Sequence, residues 1–194
     1  MTTKEDKSDS KGLIIRDKSN LDEDLSLAKS SLKKSEELND LNSMAIDYNN
    51  IGQILKEKGD LDEALDYAKK ALEIHTRLNN KTWMAIEFNN IATIMLSNGN
   101  LDQALDYAKK ALDIQTELND KIRMAVTYNN IGQIYQDKGD LDQALDYAKL
   151  ALSLDEESKD MFQVALDYFN LASICNLKQN KEELVYLKKI RVIR

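Results

Sequence analysis

Proline is absent from this 194-residue chain, and cysteine, histidine and tryptophan occur once each. Without proline the commonest breaker of helix interiors is missing, and only six glycines remain to punctuate the backbone. A single cysteine, Cys175, excludes an intramolecular disulfide and a cysteine-built metal cluster, and fits a cytoplasmic, reducing compartment. No eighteen apolar residues run together, and the opening MTTKEDKSDSKG has no apolar core, so neither a membrane span nor secretion by this route is expected. Lys and Arg are outnumbered by Asp and Glu, for a net charge of -7. That balance argues against nucleic acid or an anionic membrane as partner and leaves a neutral or basic protein or peptide. No Ser/His/Asp set, Gly-rich phosphate loop or nucleophile elbow is present, so no enzyme is expected and no cofactor or metal is implied.

What fills the chain instead is Ala, Leu, Lys, Asp and Glu, the composition of a mostly helical protein without strands. These residues recur with a period of forty. Met124 to Leu152 reappears as Met84 to Leu112 and as Met44 to Leu72. One column holds Tyr48, Phe88, Tyr128 and Tyr168, and the next small-residue column holds Gly52, Ala92, Gly132 and Ala172. Gly59, Gly99 and Gly139 follow, then the alanine columns Ala64, Ala104, Ala144 and Ala71, Ala111, Ala151. A repeat of this length is one supersecondary unit that cannot bury its apolar face alone, so stacking of copies is the fold.

Each copy reads as two helices. In the third, Met124, Tyr128, Ile131 and Tyr135 fall on one face of a first helix that Gly139 terminates. Asp140 with Gln143 then forms a capping-box pattern, repeated at Asn20/Glu23, Asp60/Glu63, Asn100/Gln103 and Asn180/Glu183, and a second helix buries Ala144, Ala148 and Ala151. The outer face of that helix offers i, i+4 pairs such as Asp66/Lys70 and Glu73/Arg77, worth a few tenths of a kcal/mol each. Short connections make consecutive helices antiparallel. Mid-helix glycine costs roughly 1 kcal/mol relative to alanine, and its alternation with Ala92 and Ala172 says that smallness is what the column requires. The expected organisation is a flexible polar tail over residues 1–11 and an array over 12–194. The array comprises a partial repeat at 12–40, whose Gly12 to Asn20 is the worn second half of a first helix, full repeats at 41–80, 81–120 and 121–160, and a divergent last repeat at 161–194. In that last repeat Leu184, Leu187, Ile190 and Ile193 form an apolar stripe with no following repeat to cover it.

Tyr128, Ile131, Gly132, Tyr135, Ala144, Ala148 and Ala151 resemble the pattern of tetratricopeptide (TPR) repeats, with Ala148 in the usual aromatic place and Thr76 and Thr116 where the closing proline stands. The period of forty, with Asn-Asn before Ile-Gly, is similar to the variants in kinesin light chain and LGN/Pins-type arrays. The resemblance covers about residues 12–194. It implies an all-α, right-handed α-solenoid of antiparallel helix hairpins, and a scaffold or adaptor that holds a peptide or partner helix in a concave groove lined by the first helices. The TPRs that clamp a partner's carboxylate need Lys or Arg there; Asn49, Gln53, Asn89, Thr93, Asn129 and Gln133 are neutral, which disfavours a chaperone-linked role.

The stripe that would line such a groove runs Ile46, Asn49, Asn50, Gln53, Glu57, then Ile86, Asn89, Asn90, Thr93, Ser97, then Val126, Asn129, Asn130, Gln133, Asp137, and ends Leu166, Phe169, Asn170, Ser173, Leu177. Six asparagines in three helix interiors cost roughly 3–4 kcal/mol relative to alanine, and something must offset that. Two readings stand. The amides hydrogen-bond the main chain of an extended peptide, or they bond one another between repeats as a ladder. Other candidates carry plainer readings: a packing or surface role for His75, burial for Cys175, contact or packing for Trp83, and a solvated face for Asp62/Asp66, Asp102/Asp106 and Asp142/Asp146. Two rival classes remain beside the scaffold: a self-associating module whose open ends make a homo-oligomer, and a regulatory arm of a larger signalling or transcription protein.

Overall fold

The computed structural model describes residues 18–179 and 182–192. The expected tail, most of the worn first helix and Ile193 lie outside them. Among the described residues there are nine helices and no strand. They are α1 Lys18–Glu37, α2 Leu41–Lys58, α3 Leu61–Arg77, α4 Lys81–Ser97, α5 Leu101–Glu117, α6 Lys121–Asp137, α7 Leu141–Ser158, α8 Met161–Leu177 and α9 Glu183–Val192. Each packs on the next in sequence, while α2 also touches α4 and α4 touches α6. The even-numbered helices are the first helices of the repeats and the odd-numbered ones the second.

The turns follow from backbone stereochemistry. Gly59, Gly99 and Gly139 close the turns after α2, α4 and α6 with φ of 89°, 75° and 81°, a region that glycine enters without steric cost. The other turns place Asn39, Asn79, Asn119, Lys159 and Gln179 at φ of 53°, 52°, 52°, 62° and 54°. Capping departs from expectation. Asp140 accepts a bond from Gln143 N at 3.1 Å, but the side chains of Asp60 and Asn100 make no cap bond. The bonded caps sit mainly on the first helices, at Asp40, Asn80, Asp120 and Asp160. Asn20 caps nothing either, because α1 already begins at Lys18.

Within a hairpin the small columns set the spacing. A Cβ built on Gly52 would lie 3.3 Å from the Ala64 carbonyl oxygen, and one on Gly132 would lie 3.4 Å from that of Ala144. Ala64, Ala104, Ala144, Ala71, Ala111 and Ala151 are fully buried. Beside this contact Tyr48, Phe88 and Tyr128 pack against Tyr67, Tyr107 and Tyr147, with ring centroids 5.8, 6.1 and 6.0 Å apart. The aromatic missing from the Ala148 column is thus supplied by the residue before it.

The outer face is not merely solvated. Lys58 pairs with Asp22, Lys138 with Asp102 and Lys178 with Asp142, each between one repeat's first helix and the second helix of the repeat before. Lys81 pairs with Glu117, and Lys121 with Glu157 at 2.6 Å. These pairs are exposed and worth about 0–1 kcal/mol each. Lys70 lies over the Tyr67 ring, 4.9 Å from its centroid, rather than pairing with Asp66. Of the expected stripe in the last repeat, Ile190 packs back with Tyr186 on the core of α7 and α8 while Leu187 is exposed; the Leu184 side chain lies outside the described part of the structure, as does Asn180 of the expected cap.

Between repeats lies a buried polar column that the sequence reading missed. At matching places of the repeat it holds Ser35 and Asp47, His75 and Glu87, Gln115 and Thr127, and Asp155 and Asp167, the first of each near the end of a second helix and the second near the start of the next first helix. Ser35 Oγ donates to Asp47 Oδ2 at 2.6 Å. Glu87 is 0% exposed; its Oε2 accepts a weak bond from Asn90 at 3.4 Å, and Oε1 has no partner. Burial pushes Glu87 up to about 7. Asp167 also reaches about 7, through burial opposed by the Asn129 bond and reinforced by Asp155. His75, buried and stacked on Trp83 at 5.3 Å between centroids, is pushed down by burial.

Two outcomes are expected. Gly132→Ala adds no clash and removes the helix penalty of glycine, so it stabilises by about 0.5–1 kcal/mol in urea unfolding, and Gly52→Ala gains less because its Cβ meets the carbonyl more closely. Glu87, with a folded value above its ordinary 4.5, contributes stability that is full below pH about 4.5 and lost as pH rises through about 7. Glu87→Gln therefore exceeds the parent in stability at pH 8 by up to roughly 3 kcal/mol, with the gain shrinking towards pH 5. Thermal unfolding across that range measures it. His75 acts in the opposite sense, its contribution falling away on the acid side.

Candidate functional site

The asparagine stripe lies on the face built by α2, α4, α6 and α8, and the structure shows hydrogen bonds from one repeat to the next along it. Asn90 Nδ2 donates to Asn49 Oδ1 at 2.8 Å, and Asn130 Nδ2 donates to Asn89 Oδ1 at 3.0 Å. Thr127 Oγ1 adds a second donor to Asn89 Oδ1 at 3.3 Å. In the last joint Asn129 Nδ2 donates instead to Asp167 Oδ1 at 2.7 Å. The ladder considered from sequence is therefore formed by Asn49, Asn89, Asn90, Asn129 and Asn130. It repays part of the helix-propensity cost of these residues, since part-buried amides bonded to each other need not be solvated.

The ladder does not consume whole side chains. It uses the oxygen of Asn49 and Asn89 and the nitrogen of Asn129. Each amide has both a donor and an acceptor end, so Nδ2 of Asn49 and of Asn89 and Oδ1 of Asn129 remain for another partner. The bonds also fix the rotamers, so these ends are held in place before anything binds. The other predicted residues are arranged differently. Asn50 is exposed at the start of the row, and Asn170 is exposed at its end beside Asn129 in the recess between α6 and α8. Thr93 Oγ1 donates to the Asn90 carbonyl at 2.9 Å and accepts from Lys56 Nζ at 3.4 Å. Gln133 Nε2 donates to Asp137 Oδ1 at 2.7 Å. Gln53 is half-buried.

Three recesses open along the helices. One of about 430 Å³ lies between α1 and α2 and includes Leu27, Ser31, Asn50, Gln53 and Ile54. One of about 270 Å³ lies between α4 and α6, walled by Ile86 and Val126 with Asn89, Asn90, Arg123 and Gln115. The third, about 220 Å³, lies between α6 and α8 over Gly132 and Ala148. The second and third fall below the roughly 300 Å³ at which sites for drug-sized ligands begin, a size that suits single side chains of an extended chain. The rim is apolar, with Ile46, Val126, Leu166, Phe162 and Phe169 exposed. Arg123, the cation of this rim, is held by Asp120. Among the described residues no three His, Cys, Asp or Glu side chains converge to hold a metal, and no helix is long and apolar enough to cross a membrane.

The sequence reading missed Gln115 as part of this face, whereas His75 and Trp83 take the packing role open to both, stacked on each other. Gln115 is 2% exposed, and its Oε1 is without a hydrogen-bond partner beneath the α4/α6 recess. The signal was available. His75 and Gln115 stand four residues after Ala71 and Ala111 on the buried stripe of their helices, as Glu87 and Thr127 stand four before Ile91 and Ile131.

Comparison with known proteins gives a consistent result. A family model for the tetratricopeptide repeat matches residues 43–117 and again 83–157, together more than half of the chain. No curated protein matches the chain. Among solved structures, BtubC (BKLC) from P. vanneervenii is similar with a TM-score of 0.78 at 22% identity, over 90% of this chain and 73% of that one. A Rap protein complexed with competence and sporulation factor gives 0.80 at 20% identity, over 91% and 49%. A putative kinesin light chain with nearly identical TPR-like repeats from Podosopora anserina gives 0.66 at 12% identity, over 91% and 95%. The chain thus spans about half the length of the Rap protein. At these identities the likeness establishes the fold, and the family match establishes the rest: this chain belongs to the tetratricopeptide repeat family, whose helix hairpins serve as protein-interaction scaffolds.

Proposed function

We propose that the face of α2, α4, α6 and α8 is a groove that binds an extended segment of a partner protein or a peptide. The observation that carries this reading is the ladder itself. It spends one end of Asn49, Asn89 and Asn129 on neighbouring repeats and leaves the other end oriented and unspent, at a spacing of one repeat. Main-chain amide groups of an extended chain match such ends, because each can donate and accept, and recognition through the main chain places little demand on the partner's sequence. Rotamers fixed in advance lower the entropy lost on binding. The exposed Ile46, Val126 and Leu166 beside the amides supply apolar contact, and the three recesses take side chains. The net charge of -7 favours a neutral or basic segment. The similar fold of a Rap protein solved in complex with competence and sporulation factor supports a binding role of this kind.

The double substitution Asn49→Asp, Asn89→Asp tests this. It keeps the oxygen that accepts from Asn90 and Asn130 and removes only the outward donor. Linear peptides selected on the native protein from a displayed random library are expected to bind the variant at least about tenfold more weakly, a loss of about 1.4 kcal/mol, with little change in melting temperature. The added negative charge would by itself strengthen binding of a basic peptide, so it does not imitate that result. Unchanged affinity would show that the asparagines serve the ladder alone.

A further inference from the structure

The repeat supplies its own template for the recess between α6 and α8. Eighty residues earlier, the matching slot between α2 and α4 is set over Gly52 as this one is over Gly132, and there the chain fills it with Lys56, whose Nζ donates to Thr93 Oγ1 at 3.4 Å. Forty residues earlier, between α4 and α6, the matching positions are Ala92 and Leu96, neither of them polar. In the last joint the residue matching Lys56 is Gln136, and the slot is open, with a volume of about 220 Å³. The chain thus places a cation in one copy of this slot and leaves the other copy without one.

The lining says what fits. Asn129 Nδ2 is bonded to the Asp167 carboxylate and Gln133 Nε2 to the Asp137 carboxylate, both at 2.7 Å. Both amides therefore present their carbonyl oxygens, each polarised by the carboxylate behind it. Ser173 on α8, matching Thr93, adds a hydroxyl, and the exposed ring of Phe169 stands at the rim where the earlier copies have Asn89 and Asn129. None of the described residues lining the slot is basic. Acceptor oxygens on one side and an aromatic face on the other suit a flat cation with several donors.

We propose that this slot binds the guanidinium of an arginine side chain on the partner. The inference rests on the groove reading above and names one side chain of the segment it would hold. The guanidinium donates to Asn129 Oδ1, Gln133 Oε1 and Ser173 Oγ while its plane lies against the Phe169 ring.

The test uses the full chain and N-acetyl-L-arginine methylamide, with N-acetyl-L-citrulline methylamide as the neutral isostere, followed by NMR of the side-chain amides and aromatic rings. Arginine is expected to shift Asn129, Gln133 and Phe169, and citrulline to need at least about tenfold higher concentration for the same effect. Gln136→Lys, which restores the cation found at Lys56, abolishes the arginine shifts, and Phe169→Asn, an exposed change, weakens them. Equal response to citrulline, shifts elsewhere on the protein, or an unaffected Gln136→Lys variant would overturn the proposal. Failure of the groove reading is separate. If selected linear peptides bind equally well with citrulline in place of arginine, the slot is wrong and the groove stands; if arginine fills the slot but no linear peptide is selected, the groove reading fails and the slot stands.

Discussion

The whole array depends on how closely two helices of a hairpin approach, close enough that a backbone carbonyl on one lies against the Cα of the other. At Gly52 and Gly132 even a Cβ would sit 3.3 and 3.4 Å from the Ala64 and Ala144 oxygens, and the facing alanines are fully buried. Short helices of this kind have little stability alone, so the contact made by their small residues is what turns helical propensity into structure. With the hairpin spacing fixed by small side chains, the large ones are displaced outward, where the tyrosines meet beside the contact. The first helices are then brought close enough for amides forty-one residues apart in sequence to bond directly.

Two polar systems occupy the joints so formed. The buried column varies from joint to joint. Ser35 donates to Asp47, Gln115 and Thr127 hold the matching places of a second joint, and the other two joints hold carboxyls whose ionisation burial resists. The groove ladder is nearly constant, and it reaches the column at Asn90 with Glu87 and at Asn129 with Asp167. A groove amide is thus one hydrogen bond away from a buried titratable group in two of the four joints. Stability of those joints and orientation of the groove share the same side chains, which is a reason for their helix-unfavourable asparagines to persist in register.

Much of the fold was legible in the sequence because the period of forty compares each residue with copies of itself. Gly52 opposite Ala92 revealed a size limit, and Gly59, Gly99 and Gly139 revealed left-handed turns before any coordinate was known. Capping was less legible, since Asp or Asn stands before each of α2 to α8 and only geometry decides which oxygen reaches an N–H; Asp60 and Asn100 do not, while Asp40 and Asp160 do. The first-helix start was obscured because α1 runs back through Asn20 to Lys18. The buried column was hidden by its own variety. Ser35, His75, Gln115 and Asp155 share no chemistry and read as drift, although their place on the helix face marks them as interior. For the groove, the asparagines were found as a set, but division of each amide between neighbour and solvent is a matter of rotamers, which no sequence pattern encodes.

The central claim is that one end of each groove asparagine is committed to the array and the other is kept for a partner. Side-chain amide NMR on titration with a selected linear peptide addresses it most directly. The account predicts that the Nδ2 resonances of Asn49 and Asn89 shift on binding while those of Asn90 and Asn130, already donating within the ladder, stay near their unbound positions. Equal shifts in all four, or movement of Asn90 and Asn130 alone, would contradict it.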